Sequence, residues 1–172
     1  ELSIAGGWQD QYAAAFGGFN LMQFKKTGNT VIPLRIKQDI LNELSANLIL
    51  FYTGIKRDGP EIHVHQRKSM LEGKEDVILA LKQLKKNTSK IKDALLRGNM
   101  VEFGKLLHEA WENKKRVDPR VSSGRIDTLY TTGIRNGAIG GKILGAGGGG
   151  HLLFFCPPLH RKDVQRALEK EG

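Results

Sequence analysis

The chain has 172 residues, of which 40% are hydrophobic, and it carries a formal net charge of +9 at pH 7. This length suits one ordinary domain with a buried core, and no run approaches the roughly 18 to 20 apolar residues of a membrane-spanning helix. The start, Glu1-Leu2-Ser3-Ile4, lacks the basic and apolar regions of a signal peptide, so we expect a cytoplasmic location.

The positive charge is concentrated beyond the first fifty residues. Residues 1–50 hold four basic and four acidic side chains, whereas residues 51–172 hold 23 basic and 14 acidic ones. A basic region suggests an anionic partner, either nucleic acid or a phosphorylated small molecule. The lysines alternate with acids at helical spacing, and the aromatic residues, 7% of the chain, do not form the stacking platform that single strands require. We therefore predict a small-molecule partner and no nucleic acid, and keep nucleic-acid binding as the weakest of three classes.

The first predicted elements are a short helix and a β-hairpin. The helix covers Gln9–Phe16 between two glycine turns. Two apolar runs follow, Phe19–Phe24 and Thr30–Ile36, and they predict two strands with Gly28-Asn29 at the tip of the hairpin. A domain boundary is predicted near residues 37–46, where the charge balance changes.

Helices dominate the middle of the chain. After a predicted buried strand at Asn47–Thr53, apolar residues recur every three or four positions from Glu61 to about Val117. This spacing predicts three helices, with breaks near Gly73 and Gly98.

The final third combines helices with a strand. Ser122-Ser123 can cap a helix that runs to about Asn136, and Arg161–Glu169 predicts a terminal helix. Between them, Leu152–Cys156 predicts a strand in which Cys156 is a buried structural residue. Strands at both ends with helices between them predict an α+β fold.

Asp10 is the first candidate for chemistry. It lies between two glutamines at the start of the predicted helix, just after a glycine turn. A carboxylate in that position, near free backbone N–H groups, can accept a proton from a substrate hydroxyl. Aspartate is also among the preferred helix caps, so a purely structural role is the alternative.

A glycine loop is the second candidate. Four consecutive glycines, Gly147 to Gly150, indicate that something approaches the backbone closely. Main-chain N–H groups in such loops bind anions, usually phosphate, while a tight turn packed against another element is the alternative. The loop matches neither a Walker-type phosphate loop nor a dinucleotide fingerprint, because a strand rather than a helix follows it. Lys142, just before the loop, could contact a phosphate or cap the preceding helix.

Two segments together resemble a known family. They read GGWQDQYAAAFGGFN at residues 6–20 and GGKILGAGGGG at residues 140–150. These segments resemble two of the three signature motifs of the GHMP small-molecule kinases, in the same order and at a fitting distance. The segment LFYTGIKRD at residues 50–58 is similar to the branch that phosphorylates a heptose 7-phosphate at its anomeric hydroxyl. The resemblance covers nearly the whole chain.

The resemblance implies phosphoryl transfer from ATP, with Mg²⁺, to a sugar hydroxyl. It implies that Asp10 is the catalytic base and that Gln9, Gln11 and Tyr12 shape the sugar side of the site. It places the glycine loop near the transferred phosphates. The loop residues that it assigns are Gly145, Gly147, Gly148, Gly149 and Gly150.

The resemblance also implies a division of the chain. Residues 1–37 would complete an amino-terminal domain that carries the aspartate motif. Residues 38–172 would form the carboxyl-terminal domain, a ferredoxin-like α/β sandwich with extra helices.

One motif of the family is missing from these 172 residues. The second signature, Pro-x-x-x-Gly-Leu-Gly-Ser-Ser-Ala, wraps the ATP phosphates in the family and occurs nowhere in the chain. We therefore expect the chain alone neither to bind ATP tightly nor to turn over. We also expect its open, partly apolar surface to self-associate or to retain a separate amino-terminal piece.

Arg57 is the predicted ligand of the sugar phosphate. It follows Gly54 on a loop directly after a buried strand, and arginine binds phosphate with two parallel hydrogen bonds. A surface ion pair with Asp58 or Glu61 is the alternative. The pair His63 and His65 is not at metal-ligand spacing, so we assign no zinc.

Two other functions remain open at this point. A fucose or other hexose kinase of the same family would share these motifs. A non-catalytic module that binds sugar phosphates or another chain would share the fold without turnover.

Overall fold

The computed structural model describes residues 7–56 and 59–171. Its elements confirm the predicted α+β class, and none of the helices in these ranges has the length and apolarity of a membrane span. The helices are α1 (Gln9–Phe16), α2 (Gln38–Asn47), α3 (Gly59–Leu71), α4 (Glu75–Arg97), α5 (Met100–Val117), α6 (Gly124–Arg135) and α7 (Arg161–Lys170). The strands are β1 (Asn20–Lys25), β2 (Gly28–Pro33), β3 (Leu48–Tyr52), β4 (Gly140–Ile143) and β5 (His151–Phe155).

Helix α1 and strands β1 and β2 form one local unit, residues 7–33, which we call the helix–hairpin unit. The two strands pair antiparallel, with Lys25 opposite Gly28, so Lys26-Thr27 forms the turn. The prediction that Gly28-Asn29 forms the tip is wrong, because the strand ladder continues through both residues. Glycine at position 28, with φ of 134°, allows this pairing to extend to the turn.

The helix–hairpin unit has no buried core of its own. Its aromatic rings do meet: the ring centroids of Tyr12 and Phe24 lie 5.4 Å apart, and those of Trp8 and Phe24 lie 6.3 Å apart. Yet Trp8 is 60% exposed and Phe24 44% exposed, and no described residue of the unit is buried. One helix on a two-stranded hairpin removes too little apolar surface from water to be stable alone.

Residues 38–56 and 59–171, which we call the carboxyl-terminal region, are built on a three-stranded antiparallel sheet. Strand β5 lies in the middle, between β3 and β4. One face of the sheet carries Phe154 into a core formed with α6, α7 and Trp111. The other face carries Phe155 into a second core formed with α2, α4 and α5. Cys156 is fully buried in the first core, as its sequence context predicted.

The three predicted central helices are confirmed as α3, α4 and α5. Gly98 ends α4 in a left-handed conformation with φ of 70°, and the Asn99 side chain caps α5. Ser123 caps α6 in the same way, by accepting a hydrogen bond from the Ile126 N–H. Caps and periodicity that were visible in the sequence therefore set these boundaries.

The segment predicted as a domain boundary contains α2, which sequence reasoning missed. Its N-cap residue, Lys37, makes no side-chain cap hydrogen bond, so the usual start signal is absent. Ile40 and Leu44 bury one face of the helix against α4 and α5. Tertiary packing rather than local propensity therefore stabilises this short helix.

Candidate functional site

The glycine loop, residues 145–150, connects β4 to β5, as the predicted strand–loop–strand order required. Its far end is tied to the end of β3: the Thr53 hydroxyl donates to the Gly150 carbonyl at 2.9 Å, and the Gly150 N–H donates to the Ile55 carbonyl at 2.9 Å. Its near end is held by Lys114, whose ammonium group donates to the Gly145 carbonyl. The loop is therefore fixed at both ends by residues distant in sequence.

The close approach that the glycines indicated is made by the chain itself. A Cβ on Gly147 would lie 2.6 Å from the Cβ of Val121, and one on Gly148 would lie 2.5 Å from the Cδ1 of Ile62. Val121 belongs to a short 3₁₀ helix, Pro119–Val121. The Val121 carbonyl accepts a hydrogen bond from the Gly148 N–H at 2.8 Å. Packing against another element, one of the two predicted alternatives, is thus confirmed for these two glycines.

The loop nevertheless keeps free hydrogen-bond donors. Among the described residues, the backbone N–H groups of Gly145, Ala146, Gly147 and Gly149 have no acceptor. Ala146, Gly147 and Gly149 are buried, and buried N–H groups nearly always have a partner. This donor set suits the oxygens of an anion better than a cation.

Lys142 lies inside β4, opposite Leu153 of β5. It is not at a helix end, so the capping alternative is wrong. The side chain is half-buried, and desolvation lowers the pKa of its ammonium group. No ion pair within the described ranges offsets that cost.

The residues predicted on the sugar side lie on α1. Gln9, Asp10 and Gln11 are exposed, while Tyr12 is half-buried and its hydroxyl accepts from the Asn29 side chain at 2.9 Å. Trp8 occupies the N-cap position, so Asp10 is a first-turn residue and not the cap. Among the described residues, no hydrogen bond or ion pair holds the Asp10 carboxylate or joins these side chains to the glycine loop.

Two sequence predictions lie outside the described residues. Arg57 and its alternative partner Asp58 fall in the gap between residues 56 and 59. Arg57 therefore stays a prediction.

A cluster that sequence reasoning did not find lies beside the glycine loop. The Asp118 carboxylate is fully buried, and its Oδ2 accepts a hydrogen bond from the His65 Nδ1–H at 3.0 Å. The Arg120 guanidinium donates to both carboxylate oxygens, each at 3.3 Å. Burial raises the pKa of this carboxyl, and the hydrogen bond from the Arg120 backbone N–H opposes that effect. His65 and Asp118 are 53 positions apart, so no local pattern could indicate their contact.

The cluster is not a metal site of the usual kind. Within the described part of the chain, no three His, Cys, Asp or Glu side chains converge to hold an ion. Two of the three groups in the cluster are donors, and arginine never serves as a metal ligand in its charged form. The cluster therefore presents positive groups to its surroundings.

Comparison with known proteins agrees with this architecture. Residues 91–172 match the family model described as GHMP kinases C terminal. A D-glycero-alpha-D-manno-heptose 7-phosphate kinase of Campylobacter jejuni is 38% identical over 172 residues, which cover 99% of this chain and 50% of that protein. An L-fucokinase/L-fucose-1-P guanylyltransferase of Bacteroides fragilis is 33% identical over 171 residues, which cover 97% of this chain and 17% of that protein.

A solved structure supports the same assignment. A D-glycero-D-manno-heptose 1-phosphate kinase from Bacteroides thetaiotaomicron superposes with a TM-score of 0.69 at 33% identity, covering 96% of this chain and 43% of that one. This chain thus spans half or less of the length of each relative. The chain has the fold of the carboxyl-terminal domain of the GHMP kinases, and residues 91–172 belong to that family.

Proposed function

We propose that this chain is the carboxyl-terminal part of an ATP-dependent sugar kinase that phosphorylates the anomeric hydroxyl of a heptose 7-phosphate. The glycine loop carries the proposal, because it combines a fixed backbone with unpartnered N–H donors. The identity of 38% to a heptose 7-phosphate kinase supports the choice of sugar.

The role proposed for the loop is to bind phosphate oxygens. Ala146, Gly147 and Gly149 are buried residues whose N–H groups lack acceptors within the described ranges, so an anionic oxygen would satisfy these donors. Donors that are fixed before the substrate arrives stabilise developing negative charge without reorganising. Lys142, half-buried just before the loop, would add a positive charge near the same phosphates.

Asp10 is proposed to accept, or to orient, the proton of the sugar hydroxyl. Its exposure on α1 leaves the carboxylate free to meet a substrate, with Gln9, Gln11 and Tyr12 beside it. ATP supplies the phosphoryl group in this family, and Mg²⁺ neutralises its charge. The described residues fit the phosphates through the loop donors, whereas a magnesium ion would be held largely by phosphate oxygens and water.

The helix–hairpin unit is proposed to be the last part of an amino-terminal domain. Residues 1–37 would complete an amino-terminal domain, and the exposure of Trp8, Phe16 and Phe24 supports this because a domain would cover them. The second signature motif of the family, which wraps the ATP phosphates, is absent from these 172 residues. The chain alone is therefore proposed to be inactive, and the remaining half of the relatives' length to be required.

The test is ADP release from Mg·ATP, measured with this chain alone and with a polypeptide that also contains the other half of a GHMP kinase. Heptose 7-phosphate, heptose 1-phosphate, L-fucose and no sugar are the four conditions. We expect turnover only in the longer polypeptide and only with heptose 7-phosphate. Turnover with heptose 1-phosphate would move the acceptor hydroxyl away from the anomeric carbon, since the names of the two heptose relatives differ on this point.

A fucose kinase is the second candidate, and the 33% identity to the Bacteroides fragilis protein favours it over other hexose kinases. Turnover with L-fucose and none with heptose 7-phosphate would establish it. Specific sugar-phosphate binding without turnover in the longer polypeptide would instead support a non-catalytic module.

A further inference from the structure

The buried carboxylate of Asp118 contacts two basic side chains from different elements. His65 of α3 contacts Oδ2 at 3.0 Å, and Arg120 contacts Oδ2 through Nη2 and Oδ1 through Nε, both at 3.3 Å. Because His65 and Arg120 share one carboxylate oxygen, their head groups are held side by side. The Asp118 side chain is 0% exposed, so its position is set by packing.

Both basic side chains are partly exposed. The side chains of His65 and Arg120 are 41% and 42% exposed, although their carboxylate partner is fully buried. Within the described ranges, His65 Nε2 and Arg120 Nη1 have no hydrogen-bond partner. With the Nδ1 proton committed to Asp118, a second proton on Nε2 turns the imidazole into a cation with an outward donor.

The charge of the cluster favours an anion. Asp118 cancels one positive charge, that of Arg120, so a protonated His65 leaves the cluster with a net charge of one. Arginine and histidinium donors bind phosphate through charge-assisted hydrogen bonds, which are shorter and stronger than neutral ones. A pair that is already oriented by a buried partner loses less side-chain entropy on binding.

The cluster adjoins the glycine loop through both of its elements. Arg120 belongs to the 3₁₀ helix whose Val121 carbonyl accepts from the Gly148 N–H at 2.8 Å. Ile62, which packs on Gly148, lies three residues before His65 on α3 and so on the same side of that helix. An anion on this cluster would therefore belong to the same binding region as the loop.

We propose that His65 and Arg120, held in place by Asp118, bind the phosphate group that the sugar substrate already carries. This assignment rests on the proposed function, because it presumes a phosphorylated sugar. The loop donors are already proposed for the transferred phosphate, so a second anion beside the loop is assigned to the phosphate on the sugar.

The experiment is a kinetic comparison in the longer polypeptide. Arg120→Lys keeps the charge but loses the two-pronged contact, and His65→Asn keeps a donor toward Asp118 but loses Nε2. Arg116→Lys, at an exposed arginine in the last turn of α5, is the matched control. Each lost charge-assisted bond is worth about 1.5 to 3 kcal/mol, or roughly 10- to 150-fold. We expect Arg120→Lys and His65→Asn to lower the ratio of kcat/KM for heptose 7-phosphate over unphosphorylated heptose by that factor, and Arg116→Lys to leave it unchanged.

Other outcomes would overturn the assignment. An unchanged ratio, or a KM that rises for ATP instead of the sugar phosphate, would remove the cluster from the sugar site. A folding defect lowers kcat/KM for both sugars together and leaves their ratio unchanged. Thermal unfolding of each variant detects such a defect directly.

A binding readout covers the case in which no sugar is a substrate. The imidazole resonances of His65 in the 172-residue chain would shift on addition of inorganic phosphate or heptose 7-phosphate, and less so in Arg120→Lys. If the wild-type kinase is inactive with every sugar, the proposed function fails while this shift still supports an anion site. If neither inorganic phosphate nor heptose 7-phosphate shifts the His65 resonances, the proposed anion site is wrong.

Discussion

The helix–hairpin unit and the carboxyl-terminal region are held together in opposite ways. In the unit, no described residue is buried, and Phe24, at the centre of its aromatic cluster, is 44% exposed. In the carboxyl-terminal region, Phe154 is 0% exposed and stacks on Tyr130 with ring centroids 5.8 Å apart. The proposed catalytic base lies in the first region and the proposed phosphate donors in the second.

This difference shows which contacts position each half of the proposed site. The glycine loop is positioned by contacts with β3, α3 and the 3₁₀ helix, all within the described chain. Asp10 has no such supports among the described residues. We therefore expect the loop donors to be preformed in this chain and Asp10 to be positioned by residues outside the described ranges.

The largest expected effect is on the base. In the longer polypeptide, Asp10→Asn should lower kcat by about 10² to 10⁴, because a positioned base contributes that much to proton transfer. Asp39→Asn is the matched control, since Asp39 is likewise the exposed second residue of a helix. Steady-state kinetics measure both variants. A loss below about fivefold in Asp10→Asn would end the assigned role.

A second test compares the two regions through phenylalanine. In this chain, Phe154→Ala should lower the free energy of unfolding by about 3 to 5 kcal/mol, because it leaves a cavity in a full core. Phe24→Ala should cost less than about 1 kcal/mol, because its ring is already partly in water. Urea denaturation measures both. Equal costs would mean that the helix–hairpin unit has a core of its own.

A third test compares two glycines with positive φ. Gly147, with φ of 110°, faces Val121, whereas Gly18 of the helix–hairpin unit, with φ of 65°, has nothing within 4 Å of an added Cβ. Gly18→Ala should cost about 1 to 2 kcal/mol from backbone strain alone. Gly147→Ala should cost a further 1 to 3 kcal/mol from overpacking. If thermal unfolding gives the same loss for both, the loop is not fixed by the contact with Val121.

The smallest expected effect concerns Lys142. Lys142→Met should raise the free energy of unfolding by about 1 kcal/mol at neutral pH, because it removes a charge that burial disfavours. The folded-state pKa lies below the ordinary lysine value, so the unfolded chain binds more protons between the two values. Wild-type stability therefore rises with pH across that window, and the advantage of Lys142→Met shrinks. A pH-independent difference would contradict the lowered pKa.

Most of the fold could be predicted from local sequence patterns. Leucine spacing, Gly98 and Ser123 predicted the central helices and their ends, because those boundaries depend on neighbours in sequence. Helix α2 was missed because its N-terminus has no side-chain cap and its stability comes from packing. The hairpin turn was placed two residues late because Gly28 joins the strand ladder.

The candidate site was only partly visible in the sequence. The glycine run indicated a close approach, but the partners Val121 and Ile62 come from far along the chain and no local pattern names them. Asp118 follows the end of the predicted helical run near Val117, and folding brings its carboxylate into contact with His65 and Arg120. Long-range pairs of this kind become visible only when the elements pack.

The most direct test of the central claim is phosphorus NMR of a reaction that contains the longer polypeptide, Mg·ATP and heptose 7-phosphate. If the longer polypeptide is a heptose 7-phosphate kinase, the resonances of ADP and of a new phosphate group attached to the anomeric carbon should grow together. This 172-residue chain alone should give neither. ADP formation at the same rate with and without the sugar, or a new phosphate on any other carbon, would contradict the claim.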